Sequence, residues 1–264
     1  MYSSVASAET CSCLTVTAVS PSPAQSADEQ PSVAPWIAPF VIGDLATPQD
    51  VHRGPDVDVY LQPTPVPLVI FVHGPVSDDW LHRPKDWPVY RGYAALALAS
   101  GLSAAIVDLH FSVAAFPDGI AQLDAIVARL RIDPRVNGSA LGLWAFSGGA
   151  LAVQPWVADP PTWLRAVALS YPLLRAEGST APQTADCLAR QLPVILTRVG
   201  FEAPSLQRQV DEFIARARSN SASLTVVDVP HGRHGFDVLD DSDESRAAVR
   251  AAMDAMREAI TYRS

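Results

Sequence analysis

Residues Leu143–Leu151 read LWAFSGGAL. With Ala140–Gly142 before it, LWAF is a continuous apolar run, as in a strand buried on both faces. Ser147 and two glycines follow, then an apolar segment suited to a helix, which Pro155 is expected to bend or shorten. A serine at such a strand-to-helix turn is pushed out over the sheet edge, and small neighbours are needed because the turn is tight. The usual spacing is G-x-S-x-G. Here it is Ala145-Phe146-Ser147-Gly148-Gly149, with an alanine small enough to keep the turn. The N–H of Gly148 can face a developing oxyanion, and the helix N-terminus adds a positive field there.

Working outward, strand-like and helix-like segments alternate. Asp56–Pro63 alternates apolar and polar residues, Pro67–Gly74 and Ser103–Phe111 are buried-strand runs, and Ala140–Phe146, Arg165–Leu174, Leu192–Gly200 and Ser223–Pro230 complete the strands. Between them lie helical patterns: Trp87–Gly101, with Gly101 as its C-terminal cap, Gly119–Asp133, Ser147–Ala158, Ser205–Ser219 and Asp243–Tyr262. The alternation predicts an α/β fold: a mostly parallel central sheet of about eight strands with helices on both faces, and chemistry at the C-terminal strand ends.

Three further stretches end at that edge. FVHGP, Phe71–Pro75, closes an early buried strand, and His73 is read there as a buried structural histidine. VPHGRHGFD, Val229–Asp237, offers two histidines on a loop after the last strand, and His234 is preferred to His231 as a proton shuttle. After LTRVG comes Glu202, the preferred carboxylate to orient the imidazole. Asp228, Asp237 and Asp211 stand in reserve, with Asp237 expected to turn back into its own loop. The order Ser147, Glu202, His234 separates this arrangement from the other common serine-triad orders.

These stretches resemble the α/β-hydrolase superfamily, and within it the small lidless branch similar to dienelactone hydrolases and prolyl-oligopeptidase-type domains. The resemblance implies one hydrolase domain over 35–264 and acyl transfer through an acyl-serine. Ser147 would attack, His234 would take and return the proton, and Glu202 would hold the ring. Gly148 with Gly74 or Val76 would form the oxyanion hole, since Pro75 has no N–H. Trp80, Trp87, His110, Phe111 and Tyr171 are expected at the substrate site, which no long insertion covers. A carboxylic ester or thioester hydrolase is the first expectation. An acyltransferase with the same three residues and a non-catalytic binding protein are the alternatives.

The 264-residue chain is 48% hydrophobic, enough for one large core. Its net charge of −9 argues against a nucleic-acid or anionic-membrane partner. A small-molecule acyl substrate, free or carried on a larger group, is the expected partner. Residues 1–34, rich in Ser, Ala, Thr and Pro, read as a flexible arm. Cys11, Cys13 and Cys187 are odd in number and contain no C-x-x-C pair, so neither a disulfide framework nor a zinc site is expected, and no cofactor is implied. Without a signal-like or membrane-length apolar stretch, a cytoplasmic location is the default.

Overall fold

Residues Leu68–Val72 (β3) are all buried, and their side chains divide by parity. Leu68, Ile70 and Val72 enter one core, and Val69 and Phe71 enter another. Alternate side chains leave a strand on opposite faces, so an uninterrupted apolar run forces helices onto both sides of the sheet. The same division holds for Leu141–Phe146 (β5), where Leu143 and Ala145 face one side and Trp144 and Phe146 the other.

The fold is seen in a computed structural model that describes residue 34 and residues 37–46, 48, 50–76, 82–176, 188 and 191–261. The expected arm lies outside these apart from residue 34, as do Trp80 and the three cysteines. The remaining strands are Val51–Arg53 (β1), Val57–Tyr60 (β2), Ser103–Val107 (β4), Leu164–Ser170 (β6), Val194–Phe201 (β7) and Leu224–Arg233 (β8). They form one eight-stranded sheet in the order β1-β2-β4-β3-β5-β6-β7-β8. β2 runs antiparallel to β1 and β4, and all other pairs are parallel. The helices are Pro88–Ala99 (α1), Phe116–Arg131 (α2), Gly149–Ala158 (α3), Pro204–Ser219 (α4), Phe236–Leu239 (α5) and Asp243–Thr261 (α6). Helices α2, α3 and α4 pack on the Leu68 face, and α1 and α6 on the Phe71 face.

Several boundaries differ from the sequence expectation for local reasons. α2 begins at Phe116, because Pro117 fits a first turn where its missing N–H has no partner to lose. α3 begins at Gly149, two residues later than expected, and runs through Pro155 to the expected Ala158. β8 extends to Arg233, so His231 lies within a strand, not on a loop. The short, largely exposed β1 carries no apolar run by which it could be foreseen.

On the Phe71 face the core is aromatic. The Trp144 ring lies 5.8 Å from Phe71, 5.2 Å from Tyr93 and 6.2 Å from Phe146, centroid to centroid. Its indole N–H donates to Ser170 Oγ at 2.9 Å, tying β5 to β6. Replacing a fully buried aromatic with alanine removes transfer energy and leaves a cavity. Trp144→Ala is therefore expected to lower the unfolding free energy by about 3–5 kcal/mol, measured by urea titration. A loss below about 1 kcal/mol would show that this cluster does not carry the core.

Candidate active site

The turn between β5 and α3 is tight because two backbone segments meet there. A Cβ at Gly149 would lie 2.5 Å from the Val72 carbonyl oxygen and 2.6 Å from that of His73, so only glycine lets α3 begin against the end of β3. Ser147 absorbs the change of direction. Its φ is 50°, a left-handed conformation disfavoured for a residue with a side chain. The turn is pinned on both sides: Ser147 N–H donates to the Ser170 carbonyl (3.0 Å), and Leu173 N–H donates to the Ser147 carbonyl (3.0 Å).

Two other strand ends complete a hydrogen-bonded row. Ser147 Oγ is 2.8 Å from His234 Nε2, and His234 Nδ1 is 2.7 Å from Glu202 Oε2. His234 follows β8 directly, and Glu202 follows β7. The other carboxylate oxygen, Glu202 Oε1, accepts from the Ala203 N–H at 2.8 Å, which fixes the carboxylate plane. An ionised carboxylate can only accept, so Nδ1 carries the hydrogen and Nε2 is left to accept from the serine hydroxyl. The Glu202 side chain is 7% exposed and that of His234 36%, so the carboxylate is screened from solvent while the imidazole is partly open to it.

FVHGP lies beside this row. A Cβ at Gly74 would sit 3.4 Å from the Gly148 nitrogen, and one at Gly148 would meet the Pro75 ring at 2.5 Å. Among the described residues, the N–H groups of Gly148 and Val76 donate to no other group. His73 is buried, as expected for a structural histidine. It accepts the Leu109 N–H on Nε2 at 2.9 Å, which leaves Nδ1–H to donate to the Gly74 carbonyl at 2.6 Å. Burial pushes its pKa down to about 4, which keeps the ring neutral. His73 thus fixes the orientation of the backbone next to Ser147.

Ser147 and His234 open into a cavity of about 280 Å³ with mostly apolar walls, including Trp87, Val89, Tyr90, Phe146 and Leu239. Trp87 and Tyr171 line it, together with Gly74 and Val76. His110 and Phe111 do not. His110 is exposed, and its backbone is held by both ends of the Gln122 amide. Phe111 is buried in the core of the Leu68 face, against Gly119, while the cavity opens on the Phe71 face. Two reserve carboxylates are also elsewhere, since Asp228 and Asp211 both pair with Arg198. His231 is exposed and lies 3.3 Å from Glu244. A wider depression of about 660 Å³, bordered by Arg131, Asn137, Ser139 and Arg165, lies before the N-terminal ends of β5 and β6, away from the row. Among the described residues no group of His, Cys, Asp and Glu could hold a metal ion. No helix there is long and apolar enough to cross a membrane.

Asp237 departs most from its expected place. It does not turn back into its own loop but is fully buried on α5, accepting the hydroxyl hydrogens of Tyr93 and Tyr171 at 2.9 Å each. Burial pushes its pKa up to about 6, and the two hydroxyls offset part of that rise. Burial also pushes both phenols well above their usual pKa, so they remain donors. No sequence signal pairs Asp237 with a tyrosine 144 residues away.

No family model matches the chain, and no curated protein matches it. Solved structures do. An esterase from Pseudomonas putida is 18% identical with a TM-score of 0.61, covering 78% of this chain and 79% of its own. Carboxyl esterase 2 from the fungus Tuber melanosporum is 15% identical with a TM-score of 0.62, over 89% and 93%. An esterase from Mycobacterium marinum is 19% identical with a TM-score of 0.60, over 78% and 77%. With the strand order, these likenesses show the α/β-hydrolase fold. They do not single out the dienelactone-hydrolase branch.

The two buried titratable groups oppose one another as pH falls. His73, depressed to about 4, takes up its proton more readily once unfolded, so it removes stability as pH falls from about 6.5 toward 4. Asp237, raised to about 6, binds its proton more tightly when folded, so it restores stability as pH falls through 6. Asp237→Asn removes only the second effect. Its cost to unfolding free energy is therefore expected to be larger at pH 5 than at pH 7, measured by urea titration at both. An equal or smaller cost at pH 5 would contradict this assignment.

Proposed function

We propose that the protein is a serine hydrolase that cleaves carboxylic esters or thioesters through an acyl-serine intermediate. The observation that carries this reading is the row Ser147 Oγ, His234 Nε2, His234 Nδ1, Glu202 Oε2, with links of 2.8 and 2.7 Å, at the mouth of an apolar cavity. Ser147 Oγ attacks the carbonyl carbon while His234 Nε2 takes its proton. The tetrahedral oxyanion is met by the free N–H groups of Gly148 and Val76, with the carbonyl oxygen lodged beside Gly74. Collapse breaks the bond to the alcohol or thiol, which leaves with the proton held by His234. Water then attacks the acyl-serine by the same route, and Glu202 steadies the imidazolium in both halves.

Pro75 has a role in this scheme. It supplies no donor, but its ring packs where a side chain on residue 148 would stand, and this shapes the wall beside the oxyanion. The cavity is small for a ligand site, which favours a compact acyl group held by Trp87, Tyr90 and Phe146 over a long chain. Water as the acceptor is preferred to an amine, alcohol or second thiol because the solved structures similar in fold are named esterases. A purely binding role would have no need of three groups within hydrogen-bond reach of one another.

The test is intact-protein mass spectrometry after treatment with a fluorophosphonate, alongside hydrolysis of short p-nitrophenyl esters. One adduct is expected on the wild type and none on Ser147→Ala. Ser147→Ala and His234→Ala are each expected to lower kcat by at least about a thousandfold. A folded wild type that takes no label, or a label that persists in Ser147→Ala, would overturn the proposal.

A further inference from the structure

Asp237 joins three parts of the chain in the wall of the cavity. Its carboxylate accepts from Tyr93 on α1 and from Tyr171 just after β6, and its backbone carbonyl accepts from the Val41 N–H at 3.0 Å. It lies one turn beyond His234, across Gly235, whose φ of 80° sets the start of α5. Tyr171 has a strained backbone of its own, with φ of 39°. Its ring centroid is 4.8 Å from that of His234. The surface against which the imidazole leans is therefore held by its hydroxyl, and the holding group belongs to the loop that carries the imidazole.

A buried carboxylate is costly, and an amide of the same shape could still accept from a tyrosine. The charge therefore calls for a partner. The titratable groups facing Asp237 are Tyr93 and Tyr90 from α1, Tyr171 from the segment after β6, and His234 from its own loop. Of these, only His234 can become positive.

We propose that Asp237 is a positioning residue for His234, which grips Tyr171 to hold the imidazole in place and offers a second buried negative charge to the imidazolium. Glu202 acts on the ring through Nδ1, and Asp237 acts on it through Tyr171, whose ring packs at 59° to the imidazole. This rests on the reading of His234 as the general base.

The experiment compares wild type, Asp237→Asn, Tyr171→Phe and the double variant on a short p-nitrophenyl ester, over the full kcat/KM against pH profile. Asp237→Asn is expected to lower kcat about tenfold with KM within about twofold, as for a misplaced catalytic group. Its acidic limb is expected to move to lower pH, because a negative charge that favours the imidazolium is gone. Tyr171→Phe is expected to lower kcat in the same way, and the double variant to be no worse than Asp237→Asn, since both act along one chain of contacts. An unchanged kcat in Asp237→Asn overturns the proposal, and so does a reduced kcat with the acidic limb unmoved. If Asp237→Asn does not fold, Tyr171→Phe decides: unchanged kcat overturns the proposal, and lowered kcat at constant KM supports it. Fluorophosphonate labelling of the wild type separates the two readings. With labelling intact, a failure here concerns Asp237 alone; without it, the general-base reading of His234 fails first.

Discussion

The contact of Gly149 with the carbonyls that end β3 sets the geometry on which the rest of the site depends. Because α3 must start against those carbonyls, the chain leaving β5 has one residue in which to reverse. That residue is Ser147, held left-handed by bonds to Ser170 and Leu173. The strain raises its hydroxyl above the sheet edge, where β7 and β8 deliver Glu202 and His234. The approach of β3 also brings Gly74, Pro75 and Val76 alongside. One close backbone contact therefore places Ser147 and the groups that would face an oxyanion.

Around this turn the protein buries groups that would be cheaper in water. His73 is kept neutral and spends both ring nitrogens on backbone, one on Leu109 and one on Gly74. Asp237 is kept in the cavity wall and spends its oxygens on two phenols. Both stiffen segments that would otherwise be loops: the β3 exit in the first case, the His234 loop in the second. Buried polar groups with satisfied partners fix a unique geometry, and the proton transfer proposed for the Ser147–His234–Glu202 row would require one.

Much of this was legible in the sequence. Strands buried on both faces carry unbroken apolar runs, and their C-terminal ends point to one edge, so the strand ends, the Ser-Gly-Gly turn, the HGF setting of His234 and the chain order together pointed to the meeting of Ser147, Glu202 and His234. Tyr171 and Trp87 followed from the same logic. It failed at His110 and Phe111, which also follow a strand end. Beyond β4 the chain turns toward α2, and Phe111 fills space beside Gly119 on the far face. Sequence shows where a strand stops, but not to which face the next residue turns. Asp237 was misjudged for a related reason. Its partners come from α1 and from the residue after β6, and a pairing across 144 residues leaves no local pattern. Tyr90, Phe146 and Leu239 were passed over as pocket residues because apolar residues read as core until a cavity is seen beside them.

The proposed reaction makes Ser147 the nucleophile and gives the oxyanion to the N–H groups of Gly148 and Val76. A crystal structure of the phosphonylated protein tests both at once. The account requires phosphorus bonded to Ser147 Oγ, with the phosphonyl oxygen about 2.7–3.1 Å from both nitrogens. An adduct on another residue, or a phosphonyl oxygen turned to solvent away from Gly148 and Val76, would contradict it.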